Sequence, residues 1–183
     1  IMNVLLTTKL PIEGFTSISE HNIIMPEAAK FTPTELIEHL ADADILLSTF
    51  DYKITAEMIA AAPNLKLITN FGVGFNNVDI AAARDRGIPV TNTPGPVIEP
   101  TAEHAFTLML AICHRTAELD RRMRQPNSDI EFGVMNNLGI AIYGKTLGII
   151  GMGNIGQSIA GRAVACGMKI IYNNRRRLLE EIE

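Results

Sequence analysis

Tryptophan is absent and aromatic residues make up only 5% of the chain, which leaves little from which to build the stacking platforms of single-stranded nucleic-acid binding. Lysine and arginine number 16 against 20 aspartates and glutamates, and the formal net charge of −4 carries no basic excess to draw nucleic acid or an anionic membrane surface. No apolar run approaches the ~18 residues of a membrane span, and no stretch reads as a secretory signal. The two cysteines, Cys113 and Cys166, are not spaced as a metal or redox pair. Both lie in apolar helical contexts, so the expectation is two buried thiols in a reducing cytoplasm. His21 and His39 lie far from any cysteine or carboxylate cluster with metal spacing, and no Ser/His/Asp set suggests nucleophilic catalysis.

What is present is organised around residues 145–177, KTLGIIGMGNIGQSIAGRAVACGMKIIYNNRRR. An apolar strand over 146–150 runs into Gly151-Met152-Gly153-Asn154-Ile155-Gly156. A helix-compatible run to Ala165 follows, with Gly167 as its stop and a second apolar strand over 168–172. A lone GxGxxG is weak evidence. Here the glycines follow a strand and open a helix inside one βαβ unit of roughly 30 residues, which is the context the fingerprint requires. Gly151 allows the tight turn, Gly153 lets backbone approach a pyrophosphate, and Gly156 lets helix pack closely on strand; the helix N-terminus offers N–H groups to the phosphates. The competing reading is a glycine-rich turn with no ligand.

The fingerprint continues with an acidic side chain about 20 residues on, accepting hydrogen bonds from the adenosine ribose. That place holds Asn173, Asn174, Arg175, Arg176 and Arg177. With no carboxylate to repel it and guanidinium forks to bind it, a 2′-phosphate fits better than a bare hydroxyl, so NADP is favoured over NAD. A solvated basic start to the next helix is the alternative for Arg176 or Arg177.

Earlier in the chain, apolar strands expected over 2–7, 44–49, 65–70 and 88–93 alternate with short amphipathic helices. Thr32, Pro33 and Glu35 form a capping box opening a helix to Ala41, Thr55 caps a short helix ending before Pro63, and Asn77 caps a helix that Gly87 stops. Residues 9–30 read as loop with a short strand. The pattern indicates a parallel sheet covered on both faces, with ligands beyond the carboxyl ends of its strands. The loop Phe71-Gly72-Val73-Gly74-Phe75-Asn76-Asn77 stands there, and its glycines and the helix beginning near Asn77 suit a small carboxylate; a plain strand-to-helix turn is the alternative. Pro94, Gly95 and Pro96 read as a linker, and one long helix is expected from Pro100 to about Arg124. Glu103 and His104 are neighbours on that helix and do not face each other, so His104 is expected as a packed core residue. Residues 125–144 have the composition of an arm that packs on a partner subunit.

In that order and spacing, FGVGFNNVDI, VTNTPG, PTAEHAFTLMLA and GKTLGIIGMGNIG resemble the D-isomer-specific 2-hydroxyacid dehydrogenases over nearly the whole chain from about Asp44 onward. The resemblance implies an α/β chain: a flavodoxin-like substrate domain over residues 1–98, then the start of a Rossmann dinucleotide-binding domain over 99–183. It implies an NAD(P)-dependent oxidoreductase of the glyoxylate or hydroxypyruvate reductase type, acting on a small 2-keto acid in the cytoplasm as a homodimer joined through the cofactor domain. By resemblance Val73 and Gly74 hold the substrate carboxylate with backbone amides, and Thr101 lies near the nicotinamide. Asn154 and Ile155 touch the pyrophosphate, while Arg175 and Arg177 match positions used for the 2′-phosphate. The family's Trp-Pro element before the fingerprint is missing. The Arg, His and Glu that carry the family's chemistry are expected beyond residue 183, so no catalytic residue is assigned, the chain alone is expected to be inactive, and strand 168–173 is expected to be an unprotected edge. The alternative on the same fold is a non-enzymatic dinucleotide sensor resembling the C-terminal binding protein corepressors.

Overall fold

Short apolar runs bounded by capping side chains set the elements of the first part of the chain. The computed structural model describes residues 1–179 and divides into two compact units, Ile1–Gly95 and Pro96–Glu183. Residues 180–183, the end of the expected cofactor domain, lie outside the described residues.

In the first unit, strands β1 (Asn3–Leu6), β2 (Asn22–Ile24), β3 (Ile45–Thr49), β4 (Leu67–Phe71) and β5 (Val90–Asn92) form one sheet in the order β2-β1-β3-β4-β5, every pair parallel. This is the flavodoxin-like strand order, whose direction reverses between β1 and β3. Helices α1 (Pro33–Leu40), α2 (Ala56–Ala60) and α3 (Ile80–Asp85) make the crossovers. The capping box of α1 forms as expected: Glu35 N donates to Thr32 Oγ1 at 3.3 Å and Thr32 N donates to Glu35 Oε2 at 2.8 Å. Thr55 caps α2 through Met58 N at 3.3 Å. Leu5, Leu36, Leu40, Leu46, Ile59 and Ile68 are fully buried at the centre of the core.

Two expectations fail here. Asn77 does not cap α3; Asp79 does, accepting from Ala82 N at 3.0 Å, and the Asn77 side chain turns inward to other partners. Residues 9–30 contain, besides β2, a 3-10 helix, Ile12–Ile18, which carries no buried residue and so left no apolar period to read.

The second unit holds α4 (Ile98–Cys113), α5 (Thr116–Met123), β6 (Thr146–Ile150), α6 (Asn154–Ala165) and β7 (Lys169–Asn173). The single long helix expected over 100–124 is broken. Arg115 adopts φ 54°, and the freed Cys113 carbonyl accepts from Ile140 N at 2.7 Å. The chain bends so that residues 138–140 can run against the helix end. Arg115 then forks onto Glu118, with Nε to Oε2 at 2.8 Å and Nη2 to Oε1 at 2.5 Å. A helical pattern cannot reveal such a long-range partner. Cys166, expected buried, is exposed because it follows the last residue of α6 at the outer end of the helix; Cys113 is half-buried.

Strands β6 and β7 pair in parallel, with Leu147 beside Ile170 and Ile149 beside Tyr172. Leu147, Ile149, Ile170 and Tyr172 are half-buried, and Ile149 meets α6 at Gly156. The opposite face carries exposed Ile150 and Ile171. α6 packs on α4.

Candidate functional site

The buried polar residues among those described are Thr7, Ser48, Thr49 and Asn70, and all four stand at the carboxyl ends of β1, β3 and β4. Apolar interior elsewhere and polar interior at one edge mark that edge as the side where the sheet meets something polar. Thr8 and Thr49 hydroxyls lie 2.9 Å apart across the switch point, and Thr49 N donates to Thr7 Oγ1 at 3.3 Å.

The loop after β4 rests on this layer. Asn70 and Asn77 exchange reciprocal side-chain amide bonds, each 3.0 Å. Asn77 Nδ2 also donates to Tyr52 O at 2.9 Å and Thr49 O at 3.1 Å, and Asn70 Nδ2 donates to Gly74 O at 2.6 Å. Asn92 Nδ2 reaches Val73 O at 2.6 Å, and Thr93 Oγ1 accepts from Gly72 N at 3.0 Å. Held this way, Val73 and Gly74 stay exposed, and among the described residues their amides donate to no acceptor. A short run of unspent backbone N–H groups is the chemistry of an anion nest. The two glycines differ in their reasons. A Cβ at Gly72 would lie 2.7 Å from Phe50 Cβ, so the neighbouring loop demands glycine, whereas a Cβ at Gly74 would meet nothing within 4 Å.

In the second unit the turn between β6 and α6 has the expected sequence and three distinct local requirements. Gly151 has φ 97°, which disfavours a side chain, and its N–H donates to Asn173 O at 2.9 Å. A Cβ at Gly156 would lie 2.4 Å from Gly151 O, so helix and turn are in direct backbone contact. A Cβ at Gly153 would meet nothing within 4 Å, which leaves its surface open to an approaching group. Asn154 and Ile155 open α6, where the first amides have no intrahelical acceptor and the helix dipole favours an anion.

Asn174, Arg175 and Arg176 follow β7 directly and are exposed at the same carboxyl end as Gly151, since Ile150 pairs with Asn173. Arg177 lines a cavity of about 680 Å³ with Met152, Gln157, Tyr172 and Leu178, and Leu178 N donates to Tyr172 Oη at 3.3 Å. Thr101 sits exposed in the first turn of α4, and no hydrogen bond among the described residues joins it to the turn. His104, expected to be packed, is exposed, as is Glu103, because the inward face of α4 is carried by Ala102, Ala105 and Phe106. Sequence reasoning passed over Asn70, Asn92, Thr93 and Phe50. The available signal was polar residues closing otherwise apolar strands.

These features define an α/β chain in which a flavodoxin-like parallel sheet is followed by a Rossmann-like βαβ unit with a glycine-rich turn between its strand and helix. The model of the D-isomer specific 2-hydroxyacid dehydrogenase catalytic domain matches residues 4–181. The chain belongs to that family. It is 40% identical over 171 residues to a glyoxylate reductase of Korarchaeum cryptofilum, covering 92% of this chain and 52% of that protein. The crystal structure of the TT0316 protein from Thermus thermophilus superposes with a TM-score of 0.87 at 35% identity, covering 97% of this chain and 57% of that one. An acyclic imino acid reductase, Bsp5, solved with NADPH and D-Arg, gives a TM-score of 0.80 at 27% identity, covering 98% of this chain and 58% of its own. The chain spans about half the length of the curated relatives it matches.

Proposed function

We propose that this chain is the carboxylate-holding and phosphate-holding part of a cytoplasmic, NADP-preferring D-2-hydroxyacid dehydrogenase of the glyoxylate or hydroxypyruvate reductase type. Residues 1–98 form the substrate domain and residues from 99 onward the cofactor domain. The observation that carries the reading is the turn 151–156, in a chain that belongs to this family. Gly153 offers a cradle that a Cβ would fill, and Asn154 and Ile155 supply unspent amides beside it. Those groups fit a pyrophosphate, with Gly151 and Gly156 fixing the turn. Thr101 faces the nicotinamide end, and Asn174, Arg175, Arg176 and Arg177 supply the donors for the adenosine ribose and its 2′-phosphate. Solved neighbours hold NADPH in one case and NAD+ in another, which supports a nicotinamide dinucleotide; the reading of NADP over NAD rests on the arginines after β7. When bound, the nicotinamide supplies hydride to the carbonyl carbon of a 2-keto acid.

The amides of Val73 and Gly74 hold the substrate carboxylate. None of the described residues is assigned as proton donor: His104 is exposed beside Glu103, without a partner that would orient it. The Arg, His and Glu of the family's chemistry are proposed to come from sequence outside these 183 residues. Leu108, Ile112, Phe132, Val134 and Tyr143 are exposed apolar residues of the second unit, and they support a homodimer formed through the cofactor domain. No helix among the described residues is long and apolar enough to cross a membrane.

The test is turnover by the full-length protein of glyoxylate, hydroxypyruvate and pyruvate with NADPH and with NADH. Oxidation of NADPH in preference to NADH with at least one acid is expected. No oxidation with any combination would overturn the enzyme reading in favour of a dinucleotide sensor.

A further inference from the structure

Three successive carbonyls of the loop after β4 are bound from behind. Gly72 O accepts from Thr93 N at 2.9 Å and from Thr93 Oγ1 at 3.4 Å. Val73 O accepts from Asn92 Nδ2 at 2.6 Å, and Gly74 O accepts from Asn70 Nδ2 at 2.6 Å. A trans peptide is planar, and its N–H points opposite to its C=O. No cis peptide occurs among the described residues. Holding the Gly72 carbonyl therefore aims the Val73 N–H, and holding the Val73 carbonyl aims the Gly74 N–H. Both carbonyls are held from the end of β5, so both N–H groups face away from that strand together. In an extended strand successive N–H groups alternate in direction; two carbonyls held by consecutive residues, Asn92 and Thr93, instead favour N–H groups turned to one side, which is what an anion needs.

The two holds are not equivalent. Thr93 acts on Gly72 largely through its own backbone N–H, which survives any substitution except proline. The Val73 carbonyl has its bond from the Asn92 side chain alone among the described residues. Asn92 must act as a donor there, and a residue without a side-chain N–H at that reach leaves the plane of the Gly74 amide free to turn.

We propose that Asn92 is a positioning residue for the substrate carboxylate: by holding the Val73 carbonyl it aims the Gly74 amide at the ligand. The proposal rests on the reading of the Val73 and Gly74 amides as the carboxylate site. It places the determinant of substrate affinity on β5, 19 residues from the amide's peptide partner in sequence. Asn92 itself does not touch the substrate.

The test uses oxamate, a small carboxylate analogue of a 2-keto acid, titrated into the full-length protein with its nicotinamide cofactor bound. Asn92→Leu keeps the shape and removes the donor. Its oxamate Kd should rise about three- to tenfold, the worth of one hydrogen bond, with cofactor Kd and unfolding midpoint unchanged. The Gly74 amide resonance, which moves on oxamate addition in the wild type, should move less in the variant. That second readout separates aiming from a general structural effect. Unchanged oxamate affinity in folded Asn92→Leu overturns the proposal. Should that variant fail to fold, Asn92→Ser, whose hydroxyl is too short to reach Val73 O, gives the same comparison, and wild-type affinity there overturns it equally. A wild-type protein that binds cofactor but no oxamate would instead overturn the carboxylate reading beneath it, a failure visible before any substitution is made.

Discussion

Arg162 on α6 donates to Glu99 Oε2 on α4 at 2.8 Å, and Ser158, one turn earlier on α6, donates to both oxygens of the same carboxylate at 2.9 and 3.0 Å. Helices α4 and α6, the second of which opens from the turn 151–156, are thus joined by one charge-assisted cluster. The Arg162 guanidinium, and after it the Ser158 hydroxyl, hold the Glu99 carboxyl below the usual carboxylate range.

A group whose folded pKa is depressed contributes stability that is present above its unfolded value, about 4.3 for Glu, and lost as pH falls through the folded value. Wild type should therefore be more stable than Glu99→Gln at neutral pH, and the gap should close on acidification below about pH 4.3. Unfolding by urea across that range reads the gap directly. A gap that does not change with pH would remove Glu99 from the account of acid sensitivity.

Asn77 makes the second prediction. Its Nδ2 serves Asn70 Oδ1 and the Thr49 and Tyr52 carbonyls, and its Oδ1 accepts from Asn70. Asn77→Ala strands those groups around a fully buried Asn70 and should cost about 1–3 kcal/mol, the desolvation of unpaired buried polar atoms. Asn77→Asp should also destabilise, since a carboxylate cannot donate to two carbonyls. Loss of under about 0.5 kcal/mol in Asn77→Ala by denaturant titration would show that water replaces the side chain at no cost.

Asn77 also marks where reading the sequence ends. Its position before a helical run suits a cap, yet Asp79 two residues on takes that role, and nothing local says which of the two cap formers will win. The capping box at Thr32 and the turn at Gly151 were legible because their partners lie within a few residues. The carbonyl holds by Asn92 and Thr93 span 19 and 21 residues, and the break at Arg115 depends on the return of Ile140 to Cys113. Each needs the folded chain before it can be seen. His104 failed for a related reason: α4 has more apolar residues than its packed face can use, so apolar neighbours did not imply burial, and Ile112 on the same helix is exposed as well.

The glycines of the turn proposed to hold the cofactor let folding and binding be tested separately. Gly156→Ala puts a methyl group 2.4 Å from Gly151 O, a backbone atom that cannot step aside cheaply, and should cost about 1–3 kcal/mol of stability as an overpacked contact. Gly153→Ala meets nothing within 4 Å, so the thermal midpoint should hold, while dinucleotide affinity falls at least tenfold because the methyl occupies the space the phosphates would take. Melting curves and cofactor titrations on the two variants give the comparison. Equal dinucleotide affinity in Gly153→Ala and wild type would show that the turn does not approach a ligand closely.

The proposed preference for NADP can be tested first at one exposed side chain. Arg175 follows Asn173 and Asn174 at the carboxyl end of β7, beside the turn, and no hydrogen bond or ion pair among the described residues occupies its guanidinium. A guanidinium without a carboxylate partner among the described residues is available to a 2′-phosphate, and Arg175 itself cannot accept from a 2′-hydroxyl as an aspartate would. Arg175→Ala should weaken NADPH binding by about 1.5–3 kcal/mol, the worth of a hydrogen bond to a charged group, and leave NADH nearly unchanged. Arg175→Lys is the control, since it keeps the positive charge and removes the planar fork: if field strength alone mattered, it would bind NADPH as the wild type does, and the loss in Arg175→Ala would shrink with added salt. A direct fork onto the phosphate should instead weaken NADPH binding in Arg175→Lys as well and make the loss in Arg175→Ala persist at high salt. Fluorescence titration of both cofactors at low and high ionic strength decides between them, and equal losses of NADPH and NADH in Arg175→Ala would take the residue out of the ribose site altogether.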